Sequence, residues 1–299
     1  MMKIKYLICL FICSCSFHCI WSQGVNLARL EYAYIPQAND NEYSRFRIET
    51  NLPIPLKEKG SYLIVSADYR YNSLVLEDKM MLEDVEGLDS FQTAGLELGY
   101  TFKMKNNWRF GSKLGMKISS NFEDSGIKSD DLRYTGAIYF VKSYEYDEKP
   151  KMARLVMGVK YTTPASINFP LPILNYFKRF HTNWSFSVGT PKSNIKYYFN
   201  KKNTLQAFVG LDRFYANLQN NRSILVEGQG VQVAENISML NIMGALGYEH
   251  YFTEHLLFFF YTGYTLSNEI RLRNADQNDI LFINDENTGY FRGGIKFKI

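Results

Sequence analysis

Along most of the chain apolar and polar side chains alternate with a period of two, and no helical period competes with it. The clearest run is 107–120. Trp108, Phe110, Leu114, Met116 and Ile118 share one face with Ser112, while Arg109, Gly111, Lys113, Gly115 and Lys117 share the other. Successive side chains of a strand point to opposite sides, so this run predicts a strand with one apolar face and one basic, small-residue face. In the run before it, Ala94, Leu96, Leu98, Tyr100, Phe102 and Met104 oppose Thr93, Gly95, Glu97, Gly99 and Thr101. The polar triplet Lys105-Asn106-Asn107 between them predicts a tight hairpin.

The same pattern returns at 26–35, 43–52, 152–162 and 288–299, where Leu30, Phe46, Val159 and Phe291 sit opposite Arg29, Arg45, Lys160 and Arg292. Further strands are expected near 61–72, 132–143, 194–200, 203–216, 236–252 and 255–270. The segment 164–192, broken by Pro164, Pro170, Pro172 and Pro191, predicts one or two short strands. Tight connections, such as 200–203 and 253–255, alternate with long polar ones at 73–90, 121–131, 217–235 and 271–287. The count is about 12 strands, or about 14 if the proline-rich segment adds a hairpin.

A strand with one charged face fits either a soluble sandwich, with the charges in water, or a membrane barrel, with the charges in the lumen. Three features favour an all-β, antiparallel transmembrane barrel with short periplasmic turns and long extracellular loops. Many strands exceed ten residues, as a tilted membrane crossing requires. Gly95, Gly99, Gly111, Gly115, Gly158 and Gly294 fall on the polar face, where a crowded lumen favours small residues. The chain also ends on an alternating strand, Tyr290 to Ile299. A large soluble sandwich is the alternative fold.

The N-terminus changes the picture of where the chain goes. Lys3 and Lys5 precede an apolar run from Tyr6 to Cys13, and small and mixed residues follow up to Ser22-Gln23. This predicts a secretory signal peptide over 1–22 and a mature barrel over 23–299, with cleavage after Ser16 or lipidation within Cys13-Ser14-Cys15 as alternatives. Cys9, Cys13, Cys15 and Cys19 are all the cysteines, so the mature chain has no disulfide, thiolate nucleophile or cysteine metal site. Removing the leader takes two lysines and no acid, and the formal net charge falls from +4 to +2, which argues against a nucleic-acid partner. Aromatic content of 16%, with 22 Tyr and 22 Phe, fits interfacial girdles. The mean hydropathy of −0.25 excludes a helical membrane protein but not a barrel, in which only alternate residues meet lipid.

The segment Phe169-Pro170-Leu171-Pro172-Ile173-Leu174-Asn175-Tyr176, followed by Trp184-Ser185-Phe186-Ser187-Val188-Gly189-Thr190-Pro191, resembles outer-membrane barrels common in Bacteroidota, the family termed domain of unknown function 6268. The resemblance extends over essentially the whole mature chain. It implies an outer-membrane barrel and carries no catalytic or binding residues. The last strand, from Gly289 to Ile299, is similar to the C-terminal strand that barrel-assembly machinery recognises, though it ends in Ile299 with Phe297 two residues earlier. The partners expected are this machinery, outer-membrane lipid and lipopolysaccharide. The oligomeric state is not set by the sequence.

Little else carries chemistry. His250 and His255 flank a tight turn beside Glu249 and Glu254, which reads as an exposed turn in preference to a metal site. Ser185 and Ser187 lie near His181 without a hydrolase motif, so a lipid-modifying enzyme is the least favoured class. No cofactor is expected. The acids Glu77, Asp78, Glu83, Asp84, Glu86 and Asp89 read as a solvated loop. The candidate lumen-lining set is Arg29, Arg45, Arg47, Arg109, Lys113, Lys117, Arg154, Lys160, Arg292 and Lys296, joined by Lys298 and by the acids Glu31, Glu49, Glu97 and Glu249. It supports a passive channel for small anionic or amphipathic solutes, or a charge-paired closed lumen in a structural or surface-interaction barrel.

Overall fold

The computed structural model describes residues 26–37, 41–76, 87–124, 126–146, 151–167, 169–226, 228 and 230–298. The expected leader and the loop acids Glu77, Asp78, Glu83, Asp84 and Glu86 lie outside these residues.

The first seven strands are β1 (Asn26–Pro36), β2 (Glu42–Pro55), β3 (Tyr62–Val75), β4 (Ser90–Lys103), β5 (Trp108–Ser120), β6 (Leu132–Glu145) and β7 (Met152–Thr163). Three short ones follow: β8 (Leu171–Arg179), β9 (Trp184–Gly189) and β10 (Lys192–Tyr198). The rest are β11 (Asn203–Val226), β12 (Gly230–Tyr251), β13 (Leu256–Arg273), β14 (Asp279–Asn284) and β15 (Gly289–Lys298). Neighbours in sequence pair antiparallel from β1 through β13. β15 pairs with β13 on one side and β1 on the other, which closes the sheet. β14 pairs only with the far end of β13. The result is a closed antiparallel barrel of 14 strands.

The barrel therefore has 14 strands, the higher of the two expected counts, and the proline-rich segment supplies the additional hairpin. Residues 164–192 supply the hairpin β8–β9. Pro172 sits at the second position of β8 and Pro191 in the two-residue link to β10, near strand ends where a missing N–H disturbs the ladder least. The expected β4–β5 hairpin forms across register pairs from Gln92↔Ser120 to Lys103↔Arg109. Asn106 and Asn107 both take positive φ, 55° and 57°, as a two-residue turn matching strand twist demands.

The outward face is apolar. Leu114 is 71% exposed and Leu96 67%, with Leu98, Ile138 and Val159 around them. Rings flank this band at both ends. Toward the tight turns, Phe102, Phe110 and Phe140 stack in sequence with centroids 5.3 and 5.4 Å apart. Toward the long connections, Tyr71, Tyr134, Tyr161 and Tyr264 are exposed. A wide apolar wall between two aromatic girdles suits lipid, not water.

Above the girdle on the long-connection side the polarity reverses. In β11 up to Leu211, the outward residues Leu205, Val209 and Leu211 are exposed and apolar, while Thr204, Gln206 and Asp212 face inward. Beyond Asp212 the inward residues become Phe214, Ala216 and Leu218, and the outward ones become Arg213, Tyr215, Asn217 and Gln219. β12 makes the same change, with Ile237 and Met239 inward and Asn236 and Ser238 on the other side. In β13 a register irregularity opposite Ile242 and Met243 precedes Ile270 and Leu272, both buried. The cause is the shortness of β9 and β10. β11 loses β10 as a neighbour after Gly210, leans inward, and meets β5 in parallel at Asn217↔Ser120. Phe214, Ala216, Leu218, Ile237, Met239, Ile270 and Leu272 then form one core with Ile35, Tyr43, Leu74, Leu88, Phe91 and Tyr290. The segments 217–235 and 271–287, expected as loops, are thus largely the extensions of β11 and β12 and the strand β14.

Arginine in place of Leu114 puts a charge near the middle of the lipid-facing band and should cost about 2–4 kcal/mol of membrane stability. In a vesicle-folding titration followed by heat-dependent gel mobility, Leu114→Arg should lose folded protein and Leu114→Val should not.

Candidate functional site: the lumen

All ten candidate residues project from the inward faces of their strands. Arg29 is on β1, Arg45 and Arg47 on β2, Arg109, Lys113 and Lys117 on β5, Arg154 and Lys160 on β7, and Arg292 and Lys296 on β15. The placement follows from the alternation, since their neighbours Leu30, Phe46, Leu114, Val159 and Phe291 are exposed on the outer wall.

The structure brings six of them into one lattice across β15 and β1 to β5. Glu31, buried at its centre, pairs with Arg29, with Arg45 at 3.4 Å, with Arg292 at 3.7 Å and with Arg47 at 3.9 Å. Arg47 continues to Glu49 at 2.7 Å and Asp68 at 2.9 Å. Asp68 also takes Arg70 at 3.2 Å and Lys117 at 3.1 Å. Lys117 reaches Glu97 at 3.3 Å, and Glu97 pairs with Lys113. The remaining four candidates stand apart. Arg109 donates to the Gly60 carbonyl at 3.1 Å and to Thr101 Oγ1 at 3.3 Å, with Tyr62 beneath it. Arg154 lies over Phe177, Lys160 is in register with Ala137 and Leu171, and Lys296 belongs to a separate lysine group treated below.

One contact ties the wall to the inward-leaning strands. Arg45 donates both terminal nitrogens to Asp212, at 2.5 and 2.7 Å, and Arg292 lies 3.8 Å from the same carboxylate. Such a bidentate pair fixes direction as well as distance. Immediately above it, Phe214 packs on Tyr43 and Phe91 with centroids 6.1 and 5.5 Å away. On the other face, Ser119 Oγ donates to the Tyr215 carbonyl at 2.6 Å, Ser120 Oγ to the Asn217 carbonyl at 3.2 Å, and Arg133 to the Tyr215 carbonyl at 3.1 Å. Asn217 and Gln219 donate to Asp131 at 2.9 and 2.7 Å. The β7–β8 connection completes the closure, with the Ser166 carbonyl accepting from Arg273 at 3.2 Å.

Sequence reasoning passed over Asp68, Arg70 and Asp212. The signal for the first two was present, since Asp68, Arg70 and Asn72 alternate with Tyr69 and Tyr71. Asp212 carried none beyond its parity. Lys192 was missed because Pro191 hides the start of β10, and Lys196, within the expected strand 194–200, carried no signal beyond its parity.

The two chemistries that the sequence disfavoured, a serine–histidine site and a histidine metal site, involve side chains that take other partners among the described residues. His181 Nδ1 accepts from the Asn183 backbone, while Ser185 Oγ bonds Tyr198 and Ser187 Oγ donates to Asn175, so neither serine meets His181. His250 Nδ1 contacts Asn203 Oδ1 at 2.8 Å, and His255 Nδ1 contacts the Lys298 carbonyl at 3.0 Å. No group of three metal-ligating side chains occurs among the described residues.

An apolar outer wall, two aromatic girdles and a salt-bridged interior define an outer-membrane-type β-barrel. The chain belongs to the family described as domain of unknown function (DUF6268), which matches residues 33–297. No curated protein matches its sequence. Solved barrels resemble it distantly. LpxR from Salmonella typhimurium has 10% identity and a TM-score of 0.38, covering 91% of this chain and 100% of that one. A KdgM porin in complex with disordered oligogalacturonate has 8% identity and a TM-score of 0.36, covering 91% and 99%. Outer membrane phospholipase A from Escherichia coli has 13% identity and a TM-score of 0.32, covering 92% and 97%. At this distance the fold assignment rests on the strand pairing itself.

Removing one partner of a buried pair strands the other charge. Arg45→Met should destabilise the barrel by about 3–5 kcal/mol in a urea titration. The double variant Arg45→Met with Asp212→Leu should lose less than the sum of the two single variants.

Proposed function

We propose that this protein is an outer-membrane barrel whose lumen is closed on the long-connection side, so that it serves as a structural or surface-interaction barrel and not as an open passive channel. One observation carries the reading: the upper part of β11 crosses to β5, with β12 and β13 paired in series behind it, and places an apolar core in the path a solute would take. Withdrawing them would expose Phe214, Ala216, Leu218, Ile237 and Met239 to water, break the Arg45–Asp212 pair and release the bonds to Ser119, Ser120 and Asp131. Each such bond contributes about 1 kcal/mol net. Their sum, added to the apolar core, disfavours spontaneous opening.

The surroundings follow from the same reading. Residence in a Gram-negative outer membrane, in a bacterium of the Bacteroidota type, is supported by the lipid-suited wall together with the signal-like N-terminus. The β1–β15 seam leaves the C-terminal strand as the natural handle for assembly machinery. Lipopolysaccharide is the expected neighbour of the exposed tyrosines Tyr71, Tyr134 and Tyr161. A catalytic role has no assembled residues to support it among those described.

Planar-bilayer recording decides between closed and open. The wild-type barrel should show a heat-dependent mobility shift and no steady conductance. Arg213 and Leu240 are register partners, so replacing 214–239 by Asn-Gly should leave a closed hairpin. That variant should keep the mobility shift and gain steady conductance. Steady conductance in the wild type would overturn the proposal.

A further inference from the structure

The inward faces of β10 to β13 and of β15 line a cavity of about 390 Å³ that opens near the tight-turn end, where Asn26, Glu254 and Lys298 form its rim. Lys192, Lys196, Lys296 and Lys298 line it, against the carboxylates Glu249 and Glu254. Glu249 is fully engaged. Its Oε2 accepts from Lys196 at 2.7 Å, and its Oε1 accepts from Gln206 at 3.0 Å and Tyr261 at 2.9 Å.

The other three lysines have only neutral acceptors. Lys192 donates to Gln206 Oε1 at 3.0 Å and lies 3.6 Å above the Phe208 ring. Lys296 donates to the Tyr261 hydroxyl at 3.1 Å and lies 4.0 Å above Phe259. Lys298 reaches the Tyr251 hydroxyl at 3.4 Å. Among the described residues no carboxylate is within ion-pair distance of any of them. In the lattice, by contrast, each of Arg29, Arg45, Arg47, Lys113, Lys117 and Arg292 has a carboxylate within that distance. Three ammonium groups without a carboxylate at ion-pair distance among the described residues thus converge on this one cavity. Ring faces offset only part of the cost of a desolvated ammonium, and a second charge supplies the rest.

We propose that this cavity binds a small oxyanion bearing carboxylate or phosphate groups, taken up through the turn-side opening. At ~30 Å³ per water-sized group, the space holds on the order of a dozen non-hydrogen atoms. The ligand is a free solute and not a lipid headgroup, because the lysines project inward while Ile195, Ile295 and Phe297, on the same strands, are exposed on the outer wall. The apolar core reaches down to Phe208, Phe259 and Tyr261 beside this cavity, while the part that closes the lumen, Phe214 to Met239, lies toward the opposite end, so the cavity can fill whether or not the barrel conducts.

The test is calorimetric titration of the detergent-purified mature barrel, at low salt, with inorganic phosphate and with citrate. Saturable one-site binding of at least one probe is expected. Lys192→Gln combined with Lys296→Gln should weaken it at least tenfold. Lys201→Gln combined with Lys202→Gln, an equal charge change in the exposed β10–β11 turn, should not. If the first double variant loses its heat-dependent mobility shift, Lys298→Gln at the rim should still weaken binding measurably. A response to phosphate alone or to citrate alone assigns the ligand class. Absence of binding to both probes, or binding unchanged by loss of these lysines, overturns the proposal. Conductance of the same preparation is read separately, so an open lumen would refute the closed reading and leave the cavity to be judged by the titration.

Discussion

Lipid offers no hydrogen-bond partner, so every backbone N–H and C=O on the outer wall has to be satisfied within the sheet. That constraint makes the β1–β15 seam indispensable. Register pairs from Ala28↔Phe297 to Tyr34↔Phe291 join the two ends of the chain, and without them two edges would face hydrocarbon. Closure in turn fixes an inside and an outside for every strand, and the alternation of side chains assigns charge to one and apolar surface to the other. Glu31 can stay buried because closure brings Arg292 of the last strand beside Arg29 of the first and Arg45 of the second.

The same alternation changes meaning once a strand leaves the membrane. Within lipid the barrel is apolar outside and charged inside. Past Asp212 the β11 side chains reverse, and the barrel becomes apolar inside with polar groups facing its neighbours. The outer end is thus built like a small water-soluble barrel mounted on a membrane one. Arg45 and Asp212 stand at the boundary between these two regimes, directly beneath the packing of Phe214 on Tyr43.

Strands in lipid were legible in the sequence because one face meets hydrocarbon and the other meets charge, which leaves a period of two as regular as that of 107–120. The boundary between 12 and 14 strands was not, because Pro170 precedes β8, Pro172 lies in it and Pro191 follows β9, which leaves two strands too short to recognise. The inward lean of β11 was hidden by composition. Asn217, Gln219, Asn220 and Asn221 look like a loop, yet Phe214, Ala216 and Leu218 keep strict alternation with Tyr215 and Asn217. What changed was the sign of the pattern, and a search for apolar alternation alone does not register a change of sign. The lumenal arginines were readable as a set together with Glu31, Glu49 and Glu97, but Asp212 was not, since it comes to Arg45 only because β11 abandons the wall.

The short strands have a consequence for the membrane itself. β9 spans six residues and β10 seven. At ~3.3 Å per residue and a tilt of ~40°, six residues rise only ~15 Å along the bilayer normal, against an apolar band of ~25 Å in barrels of this kind. The acyl chains along this arc cannot reach their usual depth without meeting the polar flank of the leaning strands. A bilayer meets so short a span by local thinning, by snorkelling of the flanking residues or by association with a neighbour, so this arc is the side of the barrel at which its surroundings have to adapt.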